Sequence, residues 1–591
     1  MAVTGVFFYL LAIFGTGKLL LNYAPISKPS LAWMTAVGVV TSLNYAWAVA
    51  SYHYKRRRSS KEELPPVYPA PVPFLGSAVS LAWDVGGFLA QATRYGGEFT
   101  STRISLFGSE MYIFQDRETI EKLMKHPSLA SPMSIIIMTL RFLFGMNEAG
   151  LAAYRADDSG PLAKPSPGSN PALAPESRID YLLHQSFNRA FTGPGLAPTT
   201  QRFREAFSFR IQGLTGHNEC VGIGSQWTHL RDFFEVFGKV AIGSLTQAVY
   251  GNLLLELHPD IVDNLWDYDD ALPWLARGVP RILMPGPYRT REALRSKLKN
   301  WYVRARQDCS VSNMDPDRDW DPVWGSKLVR YLHQTLHDEH GTHDDDAMSS
   351  HDLALLWASN FNAVSAATLA AFHVFRDPSL LARLREELAM HFDPPSSFEH
   401  ANPKLLLKLP LLSAVYAETL RLYVHVFFMS SAPHQDITVG KWRLPRGANA
   451  VVSTGITHTD NTHWNDQGGL APLSEFWADR FIVRPGDARS GPTKYGKAQA
   501  AGARVEEAFD KPYFSTEGLE GVWIPYGGGP SICPGRFLAK NAVMFICALL
   551  ITEFDIESTN DAFALDPWRY GLGTARTKNP VPVRIRRRTK N

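Results

Sequence analysis

The sequence predicts one large globular domain behind an N-terminal membrane anchor, and three observations carry that reading. Hydrophobic residues fill 45% of the 591 positions and aromatic residues 12%, enough for a sizeable core and too much for a disordered chain. No repeat and no long low-complexity linker divides the chain into modules. A run without Lys, Arg, Asp or Glu, residues 29–54, lies near the N-terminus and is followed at once by Lys55, Arg56, Arg57 and Arg58.

That run contains LAWMTAVGVVTSLNYAWAVASY, long enough to cross a hydrocarbon core as a helix. The basic cluster after it places the rest of the chain on the cytosolic side. Residues 3–21 are also apolar but are interrupted by Lys18, and they form either a second span or an interfacial helix. Because the basic residues follow the apolar run and no small-residue cleavage site does, an anchor is expected and not a cleaved signal peptide. In PPVYPAPVPFLGS, residues 65–77, closely spaced prolines deny the backbone its helical hydrogen bonds and favour a stiff extended spacer. The expected division is therefore 1–54 anchor, with one or two hydrophobic segments, 55–77 basic stop and proline-rich hinge, and 78–591 the main globular body.

Charge and cysteine usage narrow the function. The 60 basic and 57 acidic side chains leave a formal charge of +3, which offers no basic face for nucleic acid. Cys220, Cys309, Cys533 and Cys547 lie far apart without a CxxC pair, so neither a disulfide scaffold nor a zinc site is indicated, and a reducing compartment is implied. The absence of any Asn-x-Ser/Thr acceptor agrees with a body that does not face the secretory lumen. The acidic and histidine-rich segment 337–346, HDEHGTHDDD, reads as a solvated loop, since its residues are adjacent and do not converge from separate elements.

The most informative stretch is VWIPYGGGPSICPGRFLAKNAVMFICALLI, residues 522–551. Three glycines and a proline exclude regular structure before Cys533, while Phe537, Val543, Met544, Cys547 and Leu550 recur at helical spacing after it. A cysteine thus sits in a tight loop that opens a helix. Backbone N–H groups there can donate to a thiolate and moderate its donation to a metal, and glycines let the backbone approach a flat macrocycle. Cys547, on the apolar helix, reads as a small core residue.

Tyr526, Gly529, Cys533 and Gly535 fall at the spacing of the cytochrome P450 haem loop, which this segment resembles; ICPGR is closest in style to the branch holding cholesterol 7-alpha-hydroxylase and prostacyclin synthase. Two residues depart from the pattern. Tyr526 stands for the usual Phe, and Ser531 for the usual basic residue, which removes an expected haem-propionate partner. Glu418 and Arg421, in the helical stretch LLSAVYAETLRLY, match the family's Glu-x-x-Arg, and Arg480 in FWADRF matches the arginine that completes a buried charge network. These three are assigned to structure and haem-pocket assembly.

Residues 350–377 read as a long buried helix with Ser350 as N-cap, Asp352 in its first turn, Arg376 in its last and Pro378 beyond. This stretch resembles the helix over the distal face of the haem, with Phe361 and Asn362 where most members carry an acid and an alcohol. Phenylalanine relays no proton, but Asn362 can donate a hydrogen bond, as in the branch named above. No Trp-x-x-x-Arg is present for the propionates, and Arg189 in LLHQSFNRAF is the substitute considered. Residues 147–178, rich in Gly, Ala, Pro and Ser, are expected to form an enlarged surface loop near a substrate entrance.

The resemblance implies a mainly α fold with small β-sheets, haem b (iron protoporphyrin IX) held by Cys533 as axial ligand, and Asn362 in the catalytic position. It implies a monooxygenase that takes electrons from NADPH through NADPH-cytochrome P450 reductase and oxidises a lipophilic sterol, terpenoid or secondary-metabolite intermediate at the endoplasmic reticulum membrane, body towards the cytosol. A haem-thiolate isomerase of a lipid peroxide, needing no reductase, and a non-catalytic haem or sterol sensor are the competing readings.

Overall fold

The computed structural model describes residues 8–23, 28–58, 64–169, 173–214, 222–308, 315, 318–339, 341–392, 402–494, 511–529, 532–559 and 563–588, and the backbone alone for 2–7. The chain folds as two compact units, Met1–Pro132 with Phe427–Thr457, and Met133–Val426 with His458–Asn591. Both are built from helices and small sheets.

In the first unit, α1 (Ala2–Tyr23) and α2 (Pro29–Arg58) form an antiparallel hairpin. The Tyr9 hydroxyl lies 2.6 Å from Thr41 Oγ1, and Gly17 is so close to Trp33 that a Cβ would stand 2.3 Å from the ring. α2 continues past the expected boundary at residue 54, so the basic cluster forms its last turn. Arg56 is turned inward, donating to the Ser101 carbonyl and to Thr100 Oγ1 at 2.6 Å each, and only Lys55, Arg57 and Arg58 face outward. Beside it the buried Tyr52 packs edge-on against Tyr68 and Tyr95.

β1 (Thr102–Leu106) and β2 (Ser109–Ile113) form a hairpin whose two-residue turn, Phe107 and Gly108, takes positive φ at both positions. β2 pairs in parallel with β4 (Asn449–Ser453), which pairs antiparallel with residues 427–431 of β3 (Val424–Ser431). The proline-rich segment is not a free spacer: Tyr68 N–H donates to the Arg103 carbonyl, Arg103 N–H to the Pro66 carbonyl, and Ser77 N–H to the Ser105 carbonyl, so the segment runs along β1. Phe88, Leu89, Ile104, Ile113 and Val451 form this unit's core.

The second unit is organised around buried helices. Within residues 147–178 the structure departs from the expected loop: Glu148–Ala156 is a helix, α3, because the Asn147 side chain caps it by accepting the Gly150 N–H. Residues 160–163 are gathered by Arg178, whose guanidinium donates to the carbonyls of Gly160, Leu162 and Ala163. Next comes α4 (Ile179–Phe191). α5 (Asp345–Arg376) takes its N-cap six residues before the expected Ser350, since Asp344 accepts the Ala347 N–H and Asp345 and Asp346 sit in the first turn, favourable to the helix dipole. The acids of 337–346 are otherwise engaged in ion pairs, Asp345 with Arg306 and Asp346 with Arg295 and Lys299. Among the described residues no group of His, Cys, Asp and Glu could hold a metal ion.

α6 (Pro410–Tyr423) starts on a proline at its first position and runs directly into β3, whose residues 424–426 pair with β5 (Leu572–Thr574). α7 (Arg536–Glu553) packs along α5, and its residues 541–551 are buried throughout. A three-stranded antiparallel sheet of residues 554–558, 583–587 and 228–230 carries the terminal strands. Among the described residues α5 alone is long and apolar enough to cross a membrane, and it is mostly buried within the fold.

Candidate active site

Cys533 lies in the turn that opens α7. Its N–H donates to the Tyr526 carbonyl at 3.0 Å and the Ile532 N–H to the Gly529 carbonyl at 3.2 Å, closing the loop on itself. Gly529 takes φ +62°, a conformation that other residues reach only with strain. Burial raises the thiol pKa above its ordinary value, while the N–H groups of Gly535 and Arg536, which donate to the sulfur, and the Arg536 charge pull it back. Cys547 has no such donors, and burial pushes its thiol up to about 12. Tyr526 is more than a phenylalanine in shape, because its hydroxyl lies 2.7 Å from that of Tyr416 and ties the cysteine loop to α6.

Glu418, Arg421 and Arg480 meet in the interior, each fully buried. Glu418 accepts from Arg421 Nε at 2.7 Å and Nη2 at 2.8 Å, from Arg480 Nε at 3.2 Å and from the Trp477 N–H at 3.1 Å. Burial alone would raise the Glu418 pKa, but the two guanidinium groups hold it below the ordinary carboxylate value. Two arginines face one carboxylate here, and backbone carbonyls take the remaining donors: His458 and Leu473 for Arg421, Asn465, Ala471 and Pro472 for Arg480.

Asn362 is held between helix and strand. Its Oδ1 accepts the Thr574 N–H at 2.8 Å, and Thr574 Oγ1 donates to its backbone carbonyl at 3.0 Å. Gly573 makes this contact possible, since a Cβ there would stand 2.1 Å from Oδ1. The side-chain carbonyl is thereby fixed, and Nδ2 is the group left for another partner. Along α5 the Ala354, Ala358 and Asn362 stripe, at spacing i, i+4, i+8, is not buried, although most of the helix is. Phe361 points elsewhere, lining a small apolar cavity with Phe234, Trp266 and Val364, so it is core and does not face the same space as Asn362. Arg189 is exposed in the last turn of α4. Ser531, Cys220 and Cys309 lie outside the described residues.

Residues 281–485 match the family model described as "Cytochrome P450". Over 93% of its length the chain is 27% identical to the cytochrome P450 monooxygenase efuG of Hormonema carpetanum, of which 94% is covered. It is 26% identical to the cytochrome P450 monooxygenase fsoE of Humicola fuscoatra, covering 95% of this chain and 96% of that one. Against cytochrome P450 7A1 of Rattus norvegicus the identity is 23%, with 92% and 96% covered. The chain belongs to the cytochrome P450 superfamily. This P450 is accordingly an oxidoreductase, mainly helical with small sheets, and haem b is its cofactor.

The residues of this P450 fit that group. Among the described residues a Cβ on Gly535 would meet only the Cys533 sulfur, at 3.8 Å, so none of them demands glycine there, and its value is the open face left beside the thiol. The uncovered small-residue stripe of α5 offers a second flat surface. Three supporting residues escaped the sequence reading. His458 accepts the Ile524 N–H on Nε2 at 3.1 Å and donates from Nδ1 to the Arg421 carbonyl, bracing the cysteine loop against α6. Tyr416 and Gly573 likewise act through partners more than a hundred residues away, and no local motif marks them.

Proposed function

We propose that this P450 is a monooxygenase that oxidises a lipophilic small molecule of the sterol, terpenoid or secondary-metabolite type, with electrons passed from NADPH by a separate membrane reductase. Cys533 would hold the haem iron through its thiolate, and Tyr526, Gly529 and Gly535 would shape the loop that receives the group. The observation that carries this reading is a half-buried cysteine at the mouth of a helix, its sulfur open on one side and receiving the backbone N–H groups of Gly535 and Arg536 on the other. Haem so ligated supplies oxygen activation. Asn362 offers Nδ2 as a hydrogen-bond donor whose direction is set by the Thr574 contact, and it would hold water in line for proton delivery.

The substrate class is supported by similarity, at 24% identity over 66% of this chain, to a rat protein named 25-hydroxycholesterol 7-alpha-hydroxylase. The exposed apolar residues of α1 and α2, among them Phe8, Leu11, Phe14, Met34 and Leu43, support attachment to the endoplasmic reticulum membrane, and Lys55, Arg57 and Arg58 support a cytosolic body.

The test is reconstitution with reductase. Cys533→Ser should abolish the thiolate signature of the ferrous carbon monoxide spectrum, whereas Cys547→Ser should keep it; an unchanged spectrum in the first variant removes the assignment. With the wild type, NADPH consumption should rise with a lipid substrate and yield oxidised product. Product formed from a lipid peroxide without reductase would replace the monooxygenase by an isomerase.

A further inference from the structure

We infer that α1 and α2 cross the bilayer together as a paired hairpin, so that the Ala2 end of α1 lies on the same side of the membrane as the body. This inference rests on the membrane attachment proposed above and adds its topology.

The pairing is regular. Tyr9 meets Thr41 and Gly17 meets Trp33, and these two contacts share one antiparallel register that sets Ala2 level with Ala48. The 22 residues of α1 span about 33 Å at 1.5 Å per residue, close to the roughly 30 Å of a hydrocarbon core. Residues 49–58 of the longer α2 extend beyond the pair, and it is this extension that carries Tyr52 and Arg56 into the body.

Alone, neither helix is a convincing span. Among the described residues only α5 combines the required length and apolarity; α2 is diluted by Ser, Thr, Asn and Tyr, and α1 is broken by Lys18. Paired, they satisfy each other. The Thr41 hydroxyl bonds Tyr9 and is not left in lipid, and Gly17 lets the Trp33 ring approach closely, as small residues at membrane-helix interfaces allow close approach. The outward faces are apolar, with Phe8 62% and Met34 71% exposed. Tyr23 marks one end of the pair and Tyr45 and Trp47 the other, where aromatic residues favour the interface. Lys18, whose ammonium stands 5.1 Å from the Phe14 ring, and Lys28 lie towards the end of the pair far from the body, and the larger cluster Lys55, Arg57 and Arg58 stays with the body.

The test uses the full chain in sealed microsomes, with one epitope before Ala2 and another after Asn591. Protease should remove both epitopes without detergent. An N-terminal epitope protected until detergent is added, while the C-terminal one is lost, means a single crossing and overturns the hairpin. A flexible extension carrying an Asn-Gly-Thr acceptor, inserted between Tyr23 and Lys28, should gain endoglycosidase-sensitive mass; an unmodified extension places the hairpin on the surface and overturns the crossing. Release of the whole chain by alkaline carbonate would instead remove the membrane attachment on which the inference rests.

Discussion

At the scale of single residues, the structure turns Asn362 from an isolated donor into one half of a contact. Its Oδ1 is fixed by Thr574 N–H, and Gly573 is the residue whose missing side chain allows this. Gly573→Ala would force a Cβ to within 2.1 Å of Oδ1 and require φ +148° of an alanine, so the Asn362 amide must move. Asn362→Ala, which removes the donor proposed to hold water for proton delivery, is expected to uncouple the enzyme, with NADPH consumed in excess of product; Gly573→Ala should do the same and cost about 1–3 kcal/mol of stability. Adding Asn362→Ala to Gly573→Ala should restore part of that loss, because the clashing atom is gone. Additive losses in thermal denaturation would show that the two residues are not coupled.

The sequence made Cys533 legible because a glycine-rich turn before an apolar helix is a local pattern. Phe361 was legible only as a neighbour in the chain. Whether a side chain on a helix buried nearly all round faces the core or an active-site space depends on which elements pack against each face, and the approach of Phe234 and Trp266 cannot be read from α5 itself.

At the scale of elements, α6 is the hinge pin of the site. It carries Glu418 and Arg421 into the charge network, offers Tyr416 to the cysteine loop, and receives His458 on the Arg421 carbonyl. Glu418→Gln keeps the shape but leaves two buried guanidinium groups without a counter-charge. A loss of about 3–5 kcal/mol is expected, read as failure to retain haem and as a lowered denaturation midpoint. An unaffected midpoint would mean that the carbonyls alone neutralise the arginines.

His458 gives the same assembly a pH limit. Burial, and after it the Arg421 charge, push its pKa down to about 3, so the folded protein holds it neutral while an unfolded chain protonates near pH 6.5. As pH falls below 6.5 the unfolded state gains a proton that the folded state refuses, and stability falls by up to about 1.4 kcal/mol per pH unit for this residue. Above pH 6.5 the contribution is constant. His425, pushed down to about 4, acts in the same direction. His458→Gln, which can keep one donor and one acceptor, should flatten the slope of midpoint against pH between 6.5 and 5; an unchanged slope would clear His458 of the role. The Glu-x-x-Arg spacing was visible in the sequence, but this histidine was not, since its two partners come from segments 37 and 66 residues away.

At the scale of the whole molecule, α2 runs through the expected boundary between anchor and body at residue 54 and ends at Arg58. The sequence shows a charge-free run ending in four bases, and a membrane-stop signal and a buried arginine look identical there. The structure separates them: Lys55, Arg57 and Arg58 face outward, while Arg56 and Tyr52 are integral to the first unit. A chain beginning at Val49 keeps both residues, so it should lose the apolar hairpin and still fold. A chain beginning at Ser59 loses two hydrogen bonds from a guanidinium and uncovers Tyr68 and Tyr95, a cost on the order of 3 kcal/mol. The two truncations should therefore differ in denaturation midpoint and in yield of folded, haem-loaded protein, the longer one matching the full chain in detergent. The alanine substitution Arg56→Ala in the Val49 version should recover much of the difference. Equal midpoints for the two truncations would show that residues 49–58 of α2 contribute nothing to the stability of the body.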